Sequence, residues 1–129
     1  MASISRLLTV VITFLITINI VYAKDDGDQF AATSYGSFIH FNSVPNALFF
    51  FENIEDADSF EFRKALRNHD IDTVVLASDG GLVFEGLQMA GIIYDRKLTT
   101  FVPAGFECLS ACAFMFFAGD IKISAGDLG

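Results

Sequence analysis

Ser110 stands in Glu107-Cys108-Leu109-Ser110-Ala111-Cys112-Ala113-Phe114, where an apolar run begins that closes at Ala118-Gly119. A serine hydroxyl attacks a carbonyl only under three conditions. A turn or helix start must hold it out, a base must take its proton, and N–H groups must face the oxyanion that forms. Thirty residues upstream, Gly80-Gly81 follows the β-like run Thr73-Val74-Val75-Leu76-Ala77. Glycine lets a backbone approach a bound group closely. The Ala111 N–H is one candidate oxyanion donor, because the first N–H groups of a helix lack intrahelical partners. The N–H of Gly80 or Gly81 is the second. Local chemistry alone leaves a plainer reading open: Ser110 as the N-cap of an apolar helix, and Gly80-Gly81 as a β-to-α turn.

A base is harder to find. His69 ends a predicted helix and precedes a strand, which puts it at the sheet edge opposite Ser110. His40 lies in an early strand, and nothing in the sequence orients it. Lys97 falls at the wrong edge too. Lys122 would serve only if buried and deprotonated, and its neighbours Ile121 and Ile123 mark it as an outward strand residue. Asp25, Asp26, Asp28 and residues 52–58 read as solvated charge.

Cys108 and Cys112 are four residues apart. In an exported chain two cysteines invite a disulfide. The bond forms more easily with Cys108 in an extended segment and Cys112 in the first helical turn than with both inside one helix. The other reading is two small buried hydrophobes beside the serine, and both stand at this point. Two cysteines without a histidine at ligand spacing make no zinc site, and no cofactor is implied.

Residues 7–23 carry no charge and follow a segment with one arginine, Arg6. That is the n-region and h-region of a secretory signal, with Val21-Tyr22-Ala23 as cleavage site. The competing reading is membrane attachment through residues 7–23, a stretch shorter than the roughly 20 residues a spanning helix needs. Beyond residue 23 lie seven basic residues and all sixteen acidic ones, a formal charge of −9. Such a surface repels nucleic acid, and no basic cluster overrides the sign.

The elements that must position the serine can be read from pattern. Residues 24–34 are polar and expected to fray. Residues 36–42 are β-like, and 47–51 form an apolar run suited to a strand buried on both faces. Asp58 with Glu61 reads as a capping box for a helix over 59–68. A strand over 71–77, a helix over 82–94, a strand over 98–103, a helix over 110–118 apolar all round, and a strand start at 121–123 follow. Alternating β and α elements predict an α/β unit with a mostly parallel sheet. Its ligand chemistry collects beyond the C-terminal ends of the strands, where Gly80-Gly81 and Ser110 can meet.

Ser78-Asp79-Gly80-Gly81-Leu82-Val83-Phe84-Glu85-Gly86 resembles the Ser-Pro-Gly-Gly-x-x-x-x-Gly segment of Clp-type serine peptidases. Residues 108–119 look like their nucleophile segment, with a glycine nine residues after the serine. The exported Clp-protease-like group, whose nucleophile region reads Cys-x-Ser-Ala-Cys, is the nearest match. The resemblance covers residues 60–119 and implies a ClpP/crotonase-like ββα superhelix, here in part. It makes Ser110 the nucleophile of a peptidase, with Gly80 and Ala111 as oxyanion donors. It also implies a peptide or protein substrate and a homo-oligomer, and the fifteen phenylalanines read as core and as interface. Two departures stand out. Asp79 occupies the family's proline position and adds a charge beside the oxyanion. The family's histidine also comes further along than Gly129, so residues 124–129 look like a domain cut short of it. On this reading residues 1–23 are a signal peptide or anchor. Residues 24–45 are a polar segment and first strand, and 46–129 are the N-terminal part of a Clp-protease-like domain placed in the periplasm or cell envelope. A non-catalytic interaction or peptide-binding protein on the same fold is the alternative. A crotonase-type acyl-thioester enzyme is a third, and export argues against it.

Overall fold

A computed structural model describes residues 2–23 and 27–129. The chain forms two compact units, residues 1–31 and 32–129. The first contains helix α1 (Ala2–Ala23). Among the described residues no helix is long and apolar enough to cross a membrane, so membrane attachment through residues 7–23 finds no support.

The second unit is a mixed α/β layer structure. Its main sheet has the order β1-β2-β3-β4-β5-β7. β1 (Ala32–Tyr35) and β2 (Phe38–Phe41) form an antiparallel hairpin, and β2 pairs antiparallel with β3 (Ala47–Phe50). From there the sheet is parallel: β3 beside β4 (Thr73–Leu76), β4 beside β5 (Thr99–Val102), β5 beside β7 (Lys122–Ser124). Three helices link these strands: α2 (Asp58–Asn68), α3 (Val83–Arg96) and α4 (Ala111–Phe117). They pack in a row, α2 on α3 and α3 on α4.

Burial alternates along β2 and β5, so one face of the sheet carries the core and the other is half-open. Phe38, Leu48, Phe50, Phe62, Met89, Ile93, Val102 and Met115 fill the covered side. Phe38 packs on both Phe50 and Phe62 with ring centroids 4.7 Å apart, contacts worth about 0.5–1.5 kcal/mol each beyond their buried area. Residues 47–51 are not buried on both faces as expected: Phe49 is only half-buried.

Three further expectations need correcting. Residues 32–35, inside or beside the stretch expected to fray, form β1, because the turn at Gly36-Ser37 folds them back on β2. Asp58 does not cap α2 with its side chain; Ala57 takes the cap position at φ 67°. The Asp58 carboxylate is buried and instead accepts from the Ser37 N–H (3.1 Å), the Ser37 hydroxyl (2.9 Å) and the Glu55 N–H (2.8 Å). It ties the first hairpin to the helix start. Helix α4 is not buried all round, since Phe114 and Phe117 are exposed.

Beyond the C-terminal ends of the parallel strands lies a second tier of short extended pieces. Ile54 bridges Gly81, and Ser78 bridges Cys108. β6 (Glu107–Cys108) pairs parallel with β8 (Asp127–Leu128). This tier carries the candidate site.

Candidate active site

Ser110 follows β6 and starts α4, with φ 53° and ψ −126°. A residue with a Cβ pays about 1–3 kcal/mol for such a conformation, and keeps it only where its surroundings over-determine it. Four stretches of chain do so. The Ser110 N–H donates to the Gly129 carbonyl at 3.2 Å, and its own carbonyl accepts from the Ala113 N–H at 2.9 Å. The Leu109 N–H donates to the Ser78 carbonyl at 2.9 Å, and the Ser78 N–H to the Glu107 carbonyl at 2.9 Å. Cys108 in β6 and Cys112 in the first turn of α4 are joined by a disulfide, their Cα atoms 5.2 Å apart and both side chains fully buried.

This geometry separates two roles for the serine. An N-cap has β-region backbone angles, and its hydroxyl accepts from an early helical N–H. Ser110 has neither: its φ is positive and its side chain makes no cap bond. It is exposed, and its hydroxyl has no hydrogen-bond partner among the described residues.

Gly80 sits directly against it. A Cβ added at Gly80, where φ is 102°, would lie 2.8 Å from the Ser110 Cβ, 2.9 Å from the Leu109 carbonyl oxygen and 3.1 Å from the Ala111 nitrogen. Only glycine allows that approach. The Gly80 carbonyl accepts from the Ile54 N–H at 2.8 Å, and the Leu82 N–H donates to the Ile54 carbonyl at 3.0 Å. Sequence therefore brings Gly80, Ser110 and Ala111 to one junction, as their placement after β4 and β6 requires. The Gly80 N–H, however, is occupied by the Ser78 hydroxyl at 3.1 Å. The N–H groups of Gly81 and Ala111 have no acceptor among the described residues, and Gly81 is exposed where Gly80 is buried.

Ser78 is the residue the sequence reading passed over. A serine hydroxyl reaching the N–H two residues on is a common local turn, so Ser78-Asp79-Gly80 held the signal. Asp79 is exposed and lines a cavity of about 220 Å³ with Phe51, Asn53, Phe106 and Glu107. The Phe51 and Phe106 rings stack there at 6.1 Å.

The candidate bases lie elsewhere. His69 follows α2 and His40 sits in β2, and their rings stack on each other beside the residues that precede β3 and β4. That is the edge opposite Ser110. Lys97 is the exposed C-cap of α3. Lys122 is exposed in β7, its Nζ donating to the Gly119 carbonyl at 2.7 Å. Among the described residues no group of three or more His, Cys, Asp or Glu side chains could hold a metal ion.

No family model and no curated protein matches the chain. Its fold is similar to that of a solved structure, the ClpP1 N165D mutant from Listeria monocytogenes, with a TM-score of 0.54 and 20% sequence identity. The match covers 64% of this chain and 53% of that one, so the chain spans about half the length of the solved relative. At that identity the likeness concerns architecture: a mixed α/β fold with a mostly parallel sheet, similar to the ClpP fold.

Proposed function

We propose that this chain forms an exported serine peptidase-like domain in which Ser110 attacks the peptide carbonyl. The observation that carries the reading is the strained, exposed Ser110 at φ 53° with Gly80 packed against its Cβ. The tetrahedral oxyanion would be received by the N–H of Ala111 and by the Gly80-Gly81 turn. Within that turn Gly81 offers the open N–H, whereas Gly80 would donate only after releasing the Ser78 hydroxyl. The hydroxyl proton must leave to a base, and His40 and His69 lie at the opposite edge, so this reading requires a base other than these two to be brought to the junction. Peptides or proteins are the substrates, and residues 1–23 act as the export signal.

A fluorophosphonate probe tests the reading, applied to the protein as the cell makes it and read by mass spectrometry of the Ser110 peptide. Labelling that Ser110→Ala abolishes is the expected result. An unlabelled Ser110, with the reagent active on a control hydrolase, would remove the enzyme reading. It would leave the second one, a non-catalytic interaction or peptide-binding protein of the cell envelope, which the remote position of both histidines favours.

A further inference from the structure

At the edge away from Ser110, four groups from separate elements meet. His40 of β2 is buried at 3% exposure, and its Nε2 lies 2.9 Å from the Pro45 carbonyl. The His69 ring stacks on it with centroids 3.6 Å apart and planes 15° from parallel. The His69 Nε2 lies 2.9 Å from the Tyr35 hydroxyl of β1, which also accepts from the Asn68 side-chain amide at 3.2 Å.

Proton positions follow from the partners. A carbonyl only accepts, so the His40 proton sits on Nε2. Its Nδ1 is then bare, buried and without a hydrogen-bond partner. A second proton on His40 would have to go there, creating a buried donor with no acceptor. The Tyr35 oxygen already accepts from Asn68, so its own proton is free to point at His69, whose Nε2 receives it in the neutral ring. Protonating His69 would reverse this bond, making the Tyr35 oxygen accept from both Asn68 and His69, and would put a charge against the face of His40.

We propose that the His40–His69 stack, held by the Tyr35 hydroxyl and the Pro45 carbonyl, is an acid-released latch fastening the β1–β2 hairpin to the end of α2. Every described charged group around it fits this role or is outweighed. β1, β2 and β3 contain no Asp, Glu, Lys or Arg. Arg67 lies exposed in the last turn of α2. Asp70 and Asp72 line the cavity of about 530 Å³ beside the pair and would favour a charged ring. Asp72 is engaged by the Thr73 hydroxyl at 2.7 Å and the Asn46 amide at 3.2 Å. Burial, and then the proximity of His40, prevail and hold His69 below its ordinary value of 6.5. A base whose folded value is lowered contributes fully above the unfolded value, and the contribution is lost as pH falls below it. The latch is closed near neutrality and opens on acidification. Strands β4, β5 and β7 carry no histidine and stay paired.

Hydrogen exchange read by mass spectrometry on the whole chain, at about pH 7.5 and 5.5 and corrected for intrinsic rates, tests this. Expected is a loss of protection at acid pH across residues 32–46, with 73–102 unchanged. His69→Gln removes the titratable ring and keeps an acceptor for Tyr35, and should show equal protection at both pH values. The wild-type histidine ring protons, followed by NMR, should titrate for His69 below 6.5. Equal wild-type protection at both pH values would overturn the latch. So would a loss that persists in His69→Gln, a loss spread evenly over 73–102, or a His69 midpoint at or above 6.5.

Discussion

Replacing Gly80 by alanine is the most direct probe of the junction at Ser110. Two costs add at this position. The backbone sits at φ 102°, where an L-residue is strained, at about 1–3 kcal/mol. The new methyl would lie 2.8 Å from the Ser110 Cβ and 2.9 Å from the Leu109 carbonyl oxygen. Neither side yields easily. The Gly80 segment is pinned through Ile54 and Ser78, and the Ser110 segment through Ser78, Gly129 and the disulfide. Overpacking of that kind costs about 1–3 kcal/mol more. The sum is about 2–6 kcal/mol against a total stability of about 5–15 kcal/mol.

Two other glycines separate the contributions. Gly105 has φ 80° with nothing within 4 Å of an added Cβ, so Gly105→Ala shows strain alone. Gly91 lies inside α3 with open space around it and an ordinary helical φ, and Gly91→Ala should stabilise by up to about 1 kcal/mol. Urea denaturation followed by far-ultraviolet circular dichroism gives all three values on one scale. The expected order of stability is Gly91→Ala above wild type, then Gly105→Ala, then Gly80→Ala. A Gly80→Ala variant no less stable than Gly105→Ala would mean that Gly80 does not press on Ser110, and the proposed oxyanion turn would fall with it.

Ser110→Gly should stabilise the fold by about 1–3 kcal/mol while losing all probe labelling, because glycine accepts φ 53° without a Cβ penalty; a destabilised variant would mean that the serine is not strained. Changing Cys108 and Cys112 together to serine opens a loop of residues 108–112, worth about 2 kcal/mol by loop entropy, and denaturation with and without reductant should show that difference only in the wild type. Asp58→Ala strands the N–H groups of Ser37 and Glu55 that the carboxylate now receives, and a loss of about 3 kcal/mol is expected in the same urea assay.

The parallel strands and three helices of the second unit were legible because their signals are local. β-branched runs such as Thr73-Val74-Val75 and the apolar stripe of Phe62, Ala65 and Leu66 depend on near neighbours only. What escaped depends on pairing. β1, β6 and β8 are strands of two to four residues, fixed by partners on distant segments rather than by composition. Asp58 has the composition of a cap, yet a hairpin tip from residue 37 competes for its carboxylate and wins. At the site, the meeting of Gly80 with Ser110 followed from both lying after strands of one parallel sheet. Which glycine keeps an open N–H did not follow, because Ser78 decides it through a single hydroxyl bond.

The strain at Ser110 bears on what the site is for. A serine that merely began α4 would relax to an extended cap and bond an early N–H with its hydroxyl. Here β6, the Ser78 carbonyl, Gly129 and the disulfide jointly hold it at φ 53° with the hydroxyl exposed. Glycine would remove the cost at that position, so a scaffold serving only for packing gains nothing from a Cβ and an oxygen there. Chemistry at the hydroxyl does gain, since the strain presents the oxygen beyond the sheet edge, next to two unengaged N–H groups. The histidines argue the complementary point. Each is already engaged, His40 with Pro45 and His69 with Tyr35, at the edge where α2 ends. A base drawn from either would dismantle the hairpin's attachment to reach Ser110; on the proposed reading the proton acceptor therefore comes from the open side of the junction, where Gly81 is exposed with its N–H unpaired.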